Sequence, residues 1–93
     1  MLRFAFARCF QRSLKGLHPR EKVSIQNQVD SFMLAVDVRR IPDGFGLKWY
    51  QGELWEFRTD IAFRVLFSWK KDSIVFLFSG NQNEVRQFAR HYL

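Results

Sequence analysis

Apolar residues recur at every second position along residues 63–69, within the longer and largely apolar stretch of residues 53–80. Phe63, Val65, Phe67 and Trp69 occupy every second position, and Arg64 lies between the first two. This alternation is typical of a strand with one buried face. Short polar gaps divide the stretch, which is rich in β-branched and aromatic residues. The pattern therefore predicts three consecutive antiparallel strands, around which the rest of the chain packs.

The register of these strands follows from the requirement that buried side chains share one face, because a slip of one residue would turn the core outward. A three-residue loop at residues 60–62 gives the pairs Trp55–Phe67, Phe57–Val65 and Arg58–Arg64. A two-residue turn at residues 71–72 gives the pairs Trp69–Ile74, Phe67–Phe76, Val65–Phe78 and Arg64–Ser79. We therefore expect a row of Arg58, Arg64 and Ser79 on the face away from the core.

The segments before these strands predict a strand and two helices. Residues 2–6 alternate, and from about Ala7 the apolar spacing changes to three and four residues, which indicates an amphipathic helix ending near Gly16. His18 and Pro19 begin a second helix, since proline is well placed in a first helical turn. Its apolar stripe is Ile25, Val29, Phe32, Met33 and Val36. Residues 39–46 form a loop, and residues 47–50 are either a strand edge or loop.

The C-terminal segment predicts one more helix. Asn81 and Glu84 have the spacing of a helix N-cap and its third residue. The predicted buried stripe is Val85, Phe88, Ala89 and Tyr92. The fold class is therefore α+β: an N-terminal strand, a helical hairpin, a three-stranded antiparallel meander and a C-terminal helix. We expect residues 1–93 to form a single domain.

Composition narrows the class of partner. The 93 residues carry a formal net charge of +6, which favours a polyanion or an acidic protein as partner. No apolar run approaches the ~18 residues of a membrane span, and no signal-peptide pattern is present, so we expect a cytoplasmic protein. Cys9 is the only cysteine; we expect it to be buried, and we expect no metal site and no cofactor.

Four segments resemble the RelE/ParE toxin superfamily of bacterial type II toxin–antitoxin systems. Residues 10–17 are similar to its "aromatic, x, x, x, Leu, Lys, x, Leu" helix. Residues 46–58 contain Leu-Lys, then Gly-Glu-Leu-Trp-Glu-Phe-Arg, and residues 63–65 are Phe-Arg-Val; both resemble the central strands of the family. Residues 80–86 resemble the start of its last helix. Together, in this order and spacing, they cover nearly the whole chain.

The RelE branch implies a toxin that cuts mRNA on the ribosome without a metal, and that a cognate antitoxin inhibits. By position, Arg64 matches the conserved strand arginine of the family, Arg58 a second strand cation and Lys48 the basic residue of the preceding segment. The candidate catalytic residues are Arg58, Arg64, Arg86 and His91. The candidate RNA-binding residues are Lys48, Arg58, Arg64 and Trp49.

Two departures leave other functions open. Asn81 stands where the family often has a basic residue, and Arg86 stands where it often has a Tyr or His. Arginine does not release its proton near neutral pH and is a poor general acid. Other candidate acids or bases are Glu56, Glu84 and Tyr92. The alternatives are a ParE-like, non-enzymatic inhibitor of DNA gyrase, and a family member that keeps antitoxin binding but has lost catalysis.

Overall fold

The computed structural model describes residues 2–59 and 62–92. Its elements follow the predicted order, and they include one additional strand. They are β1 (Arg3–Phe6), α1 (Arg8–Ser13), α2 (Pro19–Asp37), a 3-10 turn (Asp43–Phe45), β2 (Lys48–Gln51), β3 (Leu54–Arg58), β4 (Arg64–Lys70), β5 (Ser73–Gly80) and α3 (Gln82–Tyr92). The predicted α+β fold class is confirmed.

The strands form one five-stranded sheet in the order β1-β5-β4-β3-β2. β1 runs parallel to β5, and the other neighbours are antiparallel. The three predicted meander strands are β3, β4 and β5. Residues 47–50 were predicted to be either a strand edge or loop. They form most of β2, which pairs with β3 and lies at the edge of the sheet.

The register agrees with the prediction over most of the meander. The observed pairs include Trp55–Phe67, Phe57–Val65, Arg58–Arg64, Trp69–Ile74 and Phe67–Phe76. Thr59 N donates a 3.0 Å hydrogen bond to Phe63 O, which closes the β3–β4 connection. Two residues of the predicted three-residue loop, Asp60 and Ile61, lie outside the described residues.

The predicted pairs Val65–Phe78 and Arg64–Ser79 are wrong. Val65 pairs with Ser79, and Arg64 pairs with Gly80. The cause is an irregularity in the β4–β5 ladder between Leu66 and Phe67, opposite the extra residue Leu77. A bulge of this kind adds one residue to one strand and shifts everything beyond it.

The bulge removes Ser79 from the predicted row beside Arg58 and Arg64. Ser79 is buried on the side of α1, where its backbone N–H donates a 3.0 Å hydrogen bond to Ser13 Oγ. The row on the face away from the main core therefore consists of the two arginines, without the serine.

Helices cover both faces of the sheet. On one face α1 and α2 bury the main core, which includes Phe10, Ile25, Val29, Phe32, Phe57, Val65, Phe67, Ile74 and Phe76. On the other face α3 covers a smaller apolar cluster formed by Leu54, Leu66, Leu77, Val85 and Ala89. The second face is therefore apolar beneath α3 and polar toward the β2–β3 edge.

The helix starts agree with the sequence. His18 caps α2, accepting a hydrogen bond from Arg20 N, while Glu21 Oε1 accepts one from His18 N. Asn81 and Glu84 exchange the corresponding pair of bonds, at 2.8 and 2.9 Å, at the start of α3.

Three burial predictions are wrong, the first being Phe88 of the predicted buried stripe, which is only half-buried. Tyr92 was expected in the buried stripe of the last helix, but it is 52% exposed at the end of α3, where its ring stacks on Phe88. Cys9 is half-buried instead of buried.

Candidate active site

The candidate site lies on the α3 side of the sheet, at the β2–β3 edge. Arg58 and Arg64 are cross-strand partners there, and Lys48 of β2 pairs with Glu56 of β3. Partners in a ladder share a face, and Glu56 and Arg58 are two residues apart, so all four side chains belong to one face. The predicted alignment of the two strand arginines is confirmed.

Glu56 is the centre of this site. It is 3% exposed, and each carboxylate oxygen has a partner. Arg64 Nη1 lies 3.3 Å from Glu56 Oε2, and the Tyr50 hydroxyl donates a 2.7 Å hydrogen bond to Glu56 Oε1. A buried carboxylate needs such compensation, because desolvating an unpaired charge is strongly unfavourable.

Tyr50 lies two residues after Lys48, the ladder partner of Glu56, so its side chain belongs to the same face of the sheet as Glu56. Trp49 pairs with Trp55 and Gln51 pairs with Leu54, so Tyr50 lies between two pairs that are out of step. Tyr50 was not among the candidate site residues predicted from the sequence. Its hydrogen bond to the carboxylate was missed, because the sequence did not establish whether residues 47–50 form a strand that pairs with β3.

Burial is the main cause that raises the pKa of Tyr50 to about 12, followed by the hydrogen bond to Glu56 and the negative charge of that carboxylate. The positive charges of Arg86 and Arg64 act in the opposite direction. The phenol is therefore protonated throughout the neutral range and acts as a donor to Glu56.

Arg86 belongs to the same site, although it comes from α3. Its charge acts on Tyr50, so the helix brings this arginine to the side of the sheet that holds Glu56. Arg86 is exposed, whereas the Arg64 side chain is 20% exposed. The site thus has a buried carboxylate, one arginine paired to it and a second arginine facing solvent.

Lys48 and Arg58 lie at the margins of the site. Lys48 Nζ is 5.5 Å from the centre of the Tyr50 ring, a cation–π arrangement. The Arg58 guanidinium lies against Gly46, whose φ of +59° and missing Cβ allow the close approach. Arg58 is exposed and its backbone oxygen accepts a 3.2 Å hydrogen bond from Gln28 Nε2.

Two predicted site residues lie elsewhere. Trp49 pairs with Trp55, whose side chain packs against the main core, so Trp49 belongs to the opposite face of the sheet. His91 lies five residues after Arg86 on α3, which places it roughly 140° around the helix from that arginine. Its Nδ1 is 2.8 Å from Gln87 O. The structure therefore groups Lys48, Arg58, Arg64 and Arg86, and leaves Trp49 and His91 outside the group.

Within residues 2–59 and 62–92, no three His, Cys, Asp or Glu side chains come together as they would around a metal ion. No helix in the same part of the chain is long and apolar enough to cross a membrane.

Architecture and site together define a small basic α+β protein with the fold of the RelE/YafQ-like toxins. No family model matches the chain, and no curated protein matches it in sequence. The evidence for this fold comes from solved structures, and it confirms the resemblance seen in the sequence.

Three solved structures illustrate the similarity. The Escherichia coli DinJ–YafQ complex has a chain that matches with a TM-score of 0.72 at 10% identity, over 91% of this chain and 98% of the other. A copper-bound mutant toxin from Helicobacter pylori matches with a TM-score of 0.65 at 19% identity, over 91% and 99%. The RelB–RelE antitoxin–toxin complex from Methanococcus jannaschii matches with a TM-score of 0.64 at 14% identity, over 90% and 96%.

Proposed function

We propose that this chain is the toxin of a type II toxin–antitoxin pair and that it cleaves mRNA on the ribosome without a metal ion. The observation that best supports cleavage is the Glu56 carboxylate held between Arg64 and Tyr50, with Arg86 beside them. A base next to two cations is what cleavage of an RNA phosphodiester needs. The fold shared with chains of DinJ–YafQ and RelB–RelE supports an antitoxin as partner.

In the proposed reaction, Glu56 removes the proton from the 2′-hydroxyl, and the resulting oxygen attacks the neighbouring phosphorus. Arg64 can contact Glu56 and the phosphate at the same time, since a guanidinium has five N–H donors and among the described residues Arg64 forms one ion pair, with Glu56. Its remaining donors then stabilise the negative charge on the phosphate oxygens in the transition state. Tyr50 holds Glu56 in place and keeps its own proton, as its raised pKa requires.

Arg86 takes the role of a charge stabiliser at the leaving 5′-oxygen. Arginine cannot act as the general acid near neutral pH, so the leaving oxygen takes its proton from water. General acid catalysis contributes roughly 10²–10⁴-fold in enzymes that have it. We therefore expect slow cleavage that depends on the ribosome to position the mRNA. His91 has no part in this mechanism, because it lies on another side of α3.

The test compares two arginines of α3 that differ in position but not in charge. Arg86→Ala removes the cation at the site, whereas Arg90→Ala removes an equal charge one turn further along the helix. Each purified variant is added to a translating extract, and cleavage of the reporter mRNA is mapped by primer extension. We expect Arg86→Ala to lower the cleavage rate by about 10²-fold and Arg90→Ala to leave it near wild type.

Thermal melts show whether both variants remain folded, so that a loss of cleavage can be assigned to the site. Equal cleavage by the two variants would remove Arg86 from the mechanism. The wild-type chain is also tested in a gyrase supercoiling assay. Inhibition of gyrase without any cleavage of mRNA would overturn the proposal in favour of a ParE-like inhibitor.

A further inference from the structure

The outward face of α2 carries a regular row of exposed residues that the proposed function does not use. Its members follow spacings of three and four residues, and they are Arg20, Val23, Asn27, Asp30, Leu34 and Asp37. We call this row the α2 seam. Alternating steps of three and four are the a/d pattern of a two-helix coiled coil. The α2 seam points to solvent, while Ile25, Val29 and Phe32 bury the opposite side of the helix in the core.

The apolar members of the α2 seam are unusually open. Val23 is 58% exposed and Leu34 is 70% exposed, although both lie on a helix whose other face is fully packed. A single exposed leucine on a surface needs no explanation. An exposed valine and an exposed leucine in register with four polar residues at coiled-coil spacing make a surface that fits another helix.

We propose that the α2 seam is a dimer interface and that its occupant is the α2 seam of a second copy of this chain, packed antiparallel. In that arrangement Arg20 meets Asp37 of the second copy, and Val23 meets its Leu34. Asn27 then meets Asp30, to which its amide can donate a hydrogen bond. Two-fold symmetry forms each of these three contacts twice.

The alternative registers are worse for reasons of charge and polarity. A parallel pair would place Arg20 against Arg20 and each aspartate against its own copy, and like charges in contact are unfavourable. Sliding the antiparallel pair by one heptad in one direction would put Asp30 against Leu34. Sliding it in the other direction would put Val23 against Asn27. Only the proposed register joins opposite charges and also joins the apolar residues.

The positions that flank the α2 seam do not oppose a dimer. They include Ser24, Gln26, Ser31 and Met33, none of which is charged. Flanking charges are what usually set partner choice in coiled coils, and here no like charges would face each other beside the seam. The seam also lies on the far side of the sheet from Glu56 and Arg64, so a dimer would leave both candidate active sites open.

The expected dimer is weak. The α2 seam spans 17 residue steps, or about 26 Å of helix. A single pair of helices of this length buries less area than the roughly 1,200–2,000 Å² of a standard-sized interface. The two central layers of the α2 seam are polar. We therefore expect association in the micromolar range, measured as a concentration-dependent sedimentation coefficient of the purified chain.

The register is tested by cross-linking in a Cys9→Ser background, which removes the only native cysteine. A Val23→Cys chain is mixed with a Leu34→Cys chain under mild oxidation. We expect the mixed disulfide to form at least tenfold faster than either self-cross-link, because a disulfide needs Cα atoms within about 7 Å. A predominance of self-cross-links, or equal rates for all pairs, would overturn the proposed register.

The contribution of charge is tested by reversal and restoration. Asp37→Arg places two arginines at each end of the interface and should weaken dimerisation at least tenfold. Adding Arg20→Asp to that variant restores the opposite charges and should restore the dimer. Lys22→Asp, on α2 but outside the α2 seam, is the matched control and should dimerise like wild type. A wild-type chain that stays monomeric up to about 1 mM would overturn the proposal, as would an antitoxin helix found on this face of a monomeric chain.

Discussion

Truncating Arg64 should destabilise the protein because it leaves Glu56 charged and buried with one neutral partner. From the sequence alone, an arginine on the face away from the core is expected to contribute little to stability. The structure changes that expectation, since Glu56 is 3% exposed and Arg64 supplies its only ion pair among the described residues. Tyr50 remains as a hydrogen-bond donor in the variant.

The size of the effect follows from the burial of the two partners. Removing one member of a fully buried pair costs about 3–5 kcal/mol. The Arg64 side chain is 20% exposed, so water screens part of the interaction. We therefore expect Arg64→Ala to lower the free energy of unfolding by about 2–3 kcal/mol, a large share of the roughly 5–15 kcal/mol of a typical domain.

A double-mutant cycle separates this explanation from a simple loss of contacts. Glu56→Gln alone keeps the acceptor for Tyr50 and leaves a partly solvated Arg64, at a cost of about 1 kcal/mol. In the double variant no buried charge remains, so its stability should be higher than that of Arg64→Ala alone. The two changes are therefore expected to be non-additive, with a coupling of at least about 1 kcal/mol.

Urea unfolding measures all four proteins. With an m-value of about 1–3 kcal/mol/M, the expected loss for Arg64→Ala corresponds to a midpoint shift of about 1 M. The explanation fails if Arg64→Ala lies within about 0.5 kcal/mol of wild type. It also fails if the double variant is destabilised by the sum of the two single changes, since Glu56 would then not depend on Arg64.

Two further predictions concern Tyr50 and the main core. In a Tyr92→Phe variant the remaining tyrosine should ionise with a midpoint near pH 12, read from tyrosinate absorbance, because Tyr50 is buried and bonded to Glu56. The folded-state pKa of Tyr50 is raised above the ordinary 10.0. The stability that Tyr50 contributes is therefore complete below pH 10 and is lost as the pH rises through about 12. An ionisation midpoint near pH 10 would contradict the contact with Glu56. Phe67→Ala should lower the free energy of unfolding by about 3–5 kcal/mol, because Phe67 is fully buried among Phe32, Phe57 and Phe76. Melting within a degree or two of wild type would contradict that packing.

The sequence was sufficient for the strands and for the register of β3 with β4, because polar residues mark one face of both strands. It was not sufficient for the end of β5. Residues 74–78 of that strand are all apolar, so both faces look alike and an added residue leaves no trace in the pattern. The apolar run itself has a physical cause, since α1 and α2 cover one face of β5 and α3 covers the other.

The same limit applies to the candidate site. The aligned arginines could be predicted, because cross-strand pairing follows from the alternation of buried residues. The hydrogen bond from Tyr50 to Glu56 could not, because it requires the pairing of β2 with β3, and the sequence left open whether residues 47–50 form a strand. The position of Arg86 depends on how α3 packs across the second face, and a helix stripe alone does not specify which strands it will cover.

The position of the site at the border of the α3 cluster explains how a basic protein can keep a buried carboxylate. Leu66, the cross-strand partner of Glu56, belongs to the apolar cluster that Val85 and Ala89 of α3 cover. The packing that holds α3 on the sheet therefore also helps to keep water away from Glu56 and carries Arg86 to the same edge. Because desolvation strengthens the attraction between Glu56 and Arg64, the order of the site depends on the docking of α3. A variant that loosens this helix, such as Val85→Ala, is therefore expected to change both the stability of the fold and the geometry of the site.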